Sequence, residues 1–175
     1  IMIFLFIFER FNALNSKILV FTALCLAIFG VLSSFLHLGN PINAYLTMNN
    51  ISSSWLSREI FIVSLYTATL FLYFFLRFIK GYFNPAFDIL GFAVATIGLI
   101  ALYIMSEAYI STSVPFWDSA NTYFEYYLSA AMLGAMFFYA IMHKQLGITK
   151  FYNFGVIILL AVGLLAISYV FHGLG

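Results

Sequence analysis

Charge is what this sequence has least of. Lys, Arg, Asp and Glu make up 7% of its 175 residues, while apolar and aromatic types make up 65%. Mean hydropathy is +1.07. A soluble domain of this length has too little interior to hide that much apolar side chain, so the composition excludes one and requires a membrane. Cysteine is nearly absent too. The single Cys25 lies inside an apolar run, which excludes a disulfide framework and any iron–sulfur or zinc site built from this chain alone. Its expected role is that of a small packing residue. No nucleic-acid partner is expected.

Long apolar runs are what the chain has instead. A span needs roughly 20 apolar residues. Five runs meet that length, near Ile18–Leu38, Leu56–Phe78, Phe87–Ile110, Ala120–Met142 and Phe151–Phe171. The opening IMIFLFIF, Ile1–Phe8, is too short to cross, and lacks the basic start and small-residue cleavage site of a signal peptide. It reads as the tail of a preceding helix or as a short piece lying in the interface. The expected fold is all-α, a single polytopic transmembrane bundle over residues 1–175, with five full spans after the end of a first helix.

The few charges orient the bundle. Arg10, Lys17, Arg77, Lys80, Lys144 and Lys150 fall on alternate connections, and only Arg58 breaks the pattern. The positive-inside rule puts those connections in the cytoplasm. His37 then lies at the outer end of the first full span. Arg58 and Glu59 lie in the first outer turn of the second, Glu107 near the outer end of the third, Asp118 in an outer loop, and Glu125 one to two turns into the fourth. Charge within a bilayer is costly, so such residues usually face a bundle interior or a polar cavity. Their shared depth points to an outward-facing polar pocket. Taken singly they have plainer readings: Arg58 and Glu59 snorkelling to water, Glu125 accepting a hydrogen bond from Tyr123, Tyr126 or Tyr127.

Two outer segments supply candidates for that pocket. In FLHLGNP, Phe35–Pro41, the helix carrying His37 meets Gly39 and Pro41, residues that end helices. The polar stretch Asn40–Glu59 follows, and its Ser52–Ser54 cluster can cap the next helix, whose dipole favours a nearby anion such as Glu59. The second segment is YISTSVPFWDS, Tyr109–Ser119. Trp55, Tyr109 and Trp117 fit an interfacial aromatic belt. With His37 and Tyr45 they are also candidates to flank a flat aromatic ring.

HLGNP, the loop ending in LSREI, and AYISTSVPFW together resemble the DmsC family, the membrane anchor subunits of bacterial dimethyl sulfoxide reductase complexes. The likeness runs from about Leu32 to Met142. Such anchors have more spans than this chain supplies, which marks it as a piece lacking part of the first helix and the last ones. Glu107 departs from the family pattern, where a basic residue is usual.

The resemblance implies an anchor in the bacterial inner membrane, with its partners at the outer face. Those partners are an iron–sulfur electron-transfer subunit and a molybdopterin catalytic subunit. The anchor draws menaquinol from the quinone pool, returns menaquinone and passes on the electrons, with no haem or metal of its own. The family's quinol-site histidine carries over to His37. Chemically this fits. Quinol oxidation releases two electrons and two protons, and a histidine of ordinary pKa about 6.5 suits proton acceptance. Glu59 is placed to orient the imidazole or relay the proton, and Arg58 to hold the Glu59 carboxylate. Two alternatives remain. A haem b anchor would use His37 and His172, both at outer ends of their spans. A transporter would use the outer-half carboxylates, but the broken midplane helices and repeats typical of transporters are missing.

Overall fold

The computed structural model describes residues 2–3, 17–36, 41–79, 85–115, 117–141, 160, 162–164 and 167. Among them there are helices and turns and no strand. Helix α1 is Lys17–Leu36, α2 is Trp55–Phe74 and α3 is Pro85–Ile110. Helix α4 is Asn121–Ile141. A 3-10 helix, Pro41–Asn50, precedes α2, and a π-helical turn, Phe75–Ile79, extends it. All four α-helices contain a stretch long and apolar enough to cross a membrane. The chain is therefore a multi-pass helical membrane protein with at least four candidate spans. The fifth expected span and the Ile1–Phe8 tail lie almost wholly outside the described residues, although positions 2–3, 160, 162–164 and 167 are helical.

Hydroxyls inside the spans are satisfied locally. Thr67 donates to the Val63 carbonyl at 2.9 Å, Thr96 to Phe92 at 2.9 Å, and the fully buried Ser106 to Leu102 at 2.8 Å. Each bond reaches back one turn, so the polar group needs no water. The large side chains that stay exposed, such as Phe29, Phe71 and Ile89, suit contact with lipid tails.

The chain forms two compact units, Val20–Ala108, and Ile1–Leu19 with Tyr109–Gly175. Within the first of these, α2 and α3 are keyed by tyrosines over glycines. A Cβ on Gly98 would meet the Tyr66 ring at 3.1 Å, and one on Gly91 would meet the Tyr73 ring at 3.2 Å. Tyr66 and Tyr73 are seven residues apart, as are Gly91 and Gly98. Seven residues is close to two helical turns, so each pair shares a face. The pairs meet in reverse order, so the two helices run antiparallel. Tyr73 is 2% exposed. On the α1 side, Phe21 meets Phe74 at 5.7 Å between ring centres.

A testable consequence concerns that register. Gly98→Leu forces a branched side chain into the Tyr66 ring, and overpacking of this kind costs about 1–3 kcal/mol. Nothing lies within 4 Å of a Cβ on Gly30, so Gly30→Leu meets no clash, and the better helix preference of leucine is expected to stabilise by about 0.5–1 kcal/mol. Thermal unfolding of the two variants in detergent checks this. Equal melting temperatures would show that the Tyr–Gly contacts do not set the packing.

Candidate functional site

The end of α2 gathers the polar candidates of the larger unit. Helix α2 starts after Ser54, whose extended backbone and hydroxyl make it the N-cap, the Oγ accepting from the Ser57 amide at 3.4 Å. The capping expected of the serine cluster is thus supplied by its last member. Even with that latest of starts Glu59 falls just outside the first turn: Trp55 is the first helical residue, Glu59 is the fifth, and no acid occupies the first turn. Glu59, expected within the first turn, lies one residue past it, so the dipole's pull on it is somewhat weaker.

Arg58 is engaged through its Nε, one Nη and the face of its guanidinium. Its Nε donates to the Ile51 carbonyl at 2.8 Å and an Nη donates to the Ser52 carbonyl at 2.7 Å. The guanidinium carbon sits 4.2 Å from the centre of the Trp55 ring. The expectation that Arg58 holds the Glu59 carboxylate is replaced by this arrangement. Sequence reasoning had no access to it, because two of the three partners are backbone carbonyls. Glu59 itself is half-buried, and among the described residues nothing donates to its carboxylate. Trp55 is half-buried under the guanidinium, while Tyr45, on the 3-10 helix, is 68% exposed. That 3-10 helix packs against α2. His37 lies outside the described residues, which end α1 at Leu36.

The smaller unit holds the other two aromatic candidates, and the fold brings them together. Tyr109 and Trp117 meet edge to face with ring centres 5.2 Å apart. Tyr126, named from the sequence only as a neighbour of Glu125, joins them at 5.6 Å from Tyr109. One backbone and one side-chain bond hold the loop between: Trp117 N–H donates to the Val114 carbonyl at 3.0 Å, and the Thr122 hydroxyl donates to the Trp117 carbonyl at 2.8 Å. Edge-to-face aromatic pairs stabilise by about 0.5–1.5 kcal/mol beyond their burial. The only sequence signal for Tyr126 was the tyrosine cluster around Glu125.

Among the described residues no three His, Cys, Asp or Glu side chains group as metal ligands would. Glu107 and Glu125 are half-buried on α3 and α4, and Asp118 is exposed in the loop between them.

Membrane-spanning helices with a carboxylate, an arginine and aromatic rings at a span end define the class: an integral membrane protein with polar chemistry at the bilayer boundary. The sequence matches the family model of the DMSO reductase anchor subunit (DmsC) over residues 1–175. It belongs to that family. The C subunit of the anaerobic dimethyl sulfoxide reductase of Haemophilus influenzae is 28% identical to it over 143 residues, which are 78% of this chain and 51% of that protein. The subunit of the same description from Escherichia coli is 31% identical over 115 residues, 65% of this chain and 40% of the relative. The protein thus spans about half the length, or less, of the curated relatives it matches. No solved structure matches it.

Proposed function

We propose that this chain is part of a membrane anchor that oxidises menaquinol at the outer face of a bacterial inner membrane. It passes the two electrons to an iron–sulfur subunit, which feeds a molybdopterin catalytic subunit. The observation that carries the reading is membership of the anchor family, joined to a half-buried Glu59 carboxylate at the end of a span. Quinol oxidation breaks two O–H bonds and releases two protons with the two electrons. His37 accepts a ring proton, and Glu59 orients the imidazole or takes the proton onward. Tyr45, Trp55, Tyr109 and Trp117 are the aromatic candidates for contact with the quinone ring. Electrons leave for the partner subunit, so this chain needs no haem or metal of its own.

The test is reduction of the partner iron–sulfur clusters by menaquinol in the full-length assembled complex, followed by electron paramagnetic resonance. Cluster reduction that depends on quinol supports the reading. Clusters that stay oxidised under quinol, in a complex still active with an artificial electron donor, would overturn it. A Soret band in the purified anchor would favour the haem-bearing alternative, and ion flux in liposomes without partners would favour a transporter.

A further inference from the structure

We infer that Arg58 is a positioning residue, a clamp that fixes the turn between the 3-10 helix and α2 and thereby sets the wall of the pocket beside Glu59. Three contacts carry the inference. The fork spans two successive carbonyls, Ile51 and Ser52, at 2.8 and 2.7 Å, and its face lies over Trp55 at 4.2 Å. Those carbonyls belong to the turn between the 3-10 helix, which ends at Asn50, and the cap at Ser54. A carbonyl unpaired at a membrane boundary is costly, and a cation is the strongest donor to offer it.

The rest of the turn is tied to the same point. The Ser53 and Ser54 amides donate to the Asn50 carbonyl at 3.1 and 2.9 Å, and the Arg58 amide donates to the Ser54 carbonyl at 3.2 Å. Arg58 therefore closes a loop whose two ends its own main chain and side chain both touch. The 3-10 run it secures is ten residues long, well beyond the three or four residues at which such helices usually stop. A run of that kind needs an outside hold, and its exit is where the clamp acts. Because the guanidinium is spent on the turn, the adjacent Glu59 keeps its carboxylate for other work.

The clamp needs arginine's shape rather than its charge alone. A planar fork reaches two acceptors and stacks on a ring at once, whereas an ammonium does so poorly. The test uses Arg58→Lys and Arg58→Gln in the full-length complex, with Ser54→Ala as a control that removes the cap but leaves the fork. Hydrogen exchange of the Ser53, Ser54 and Arg58 amides is expected to quicken about tenfold in both Arg58 variants, the scale of one lost charge-assisted bond. That arm is independent of the proposed function.

The second arm rests on the quinol reading. The KM for quinol is expected to rise about tenfold with kcat within about twofold, the pattern of a weakened pocket with its chemistry intact. Ser54→Ala is expected to leave KM unchanged. Arg58→Lys behaving as wild type in exchange would overturn the clamp. Faster exchange with an unchanged KM would overturn the claim that the turn walls the quinol pocket. If the unaltered complex shows no quinol turnover, the quinol reading fails, and the exchange arm still decides the clamp.

Discussion

Glu59→Gln is expected to slow quinol-dependent reduction of the partner iron–sulfur clusters about a hundredfold, within an anchor that still folds and assembles. The amide copies the shape of the carboxyl and its place on the helix, so packing around it is kept. What it loses is the ability to take a proton, and a positioned acid or base contributes roughly 10²–10⁴ in rate. The geometry makes Glu59 a better candidate for that work than sequence alone could. It is half-buried, it lies past the first turn of α2, and the neighbouring Arg58 is committed to the Ile51 and Ser52 carbonyls. A carboxylate locked in an ion pair resists protonation; this one has no such partner among the described residues. Stopped-flow absorbance of the clusters after mixing with quinol measures the effect. A rate within about threefold of wild type would remove Glu59 from the proton path and leave it an interfacial residue.

The spans were legible because lipid leaves a strong mark on composition. The run expected at Leu56–Phe78 is observed at Trp55–Phe78, and the one expected at Ala120–Met142 at Asn121–Ile141. Local chemistry was legible as well: a serine ahead of an apolar run signals a cap, and Ser54 fills that place. Which of three serines caps was not, and the answer leaves Glu59 one residue past the first turn. The Pro41–Asn50 helix was not legible, because Ile42, Ala44, Leu46 and Met48 fall on every second position, which is not a helical period. The Arg58 clamp and the Tyr–Gly register were beyond reach for a shared reason. Each depends on what a neighbouring piece of backbone or ring does in space, and spacing along one chain does not encode it. Tyr109 and Trp117 fall between these cases. The fold does bring their rings together, but an aromatic belt also permits such a pair.

His37→Ala is expected to cost more than Glu59→Gln, about a thousandfold in electron entry, because it removes the group proposed to take the first proton from the quinol hydroxyl. The neutral imidazole has both a free acceptor nitrogen and a donor, so it can receive that proton while its other nitrogen is held. Alanine offers neither. The variant pair then decides whether the two residues share one path. Groups acting as a unit are not additive: once the first is gone, loss of the second changes little. If His37 and Glu59 form a single proton route, the double variant should be about as slow as His37→Ala alone. If they act separately, the losses should multiply, to about 10⁵-fold with these figures, a gap that cluster-reduction rates resolve easily. Full electron entry in His37→Ala would refute the histidine's role, and the search for the quinol site would move to the half-buried Glu107 and Glu125.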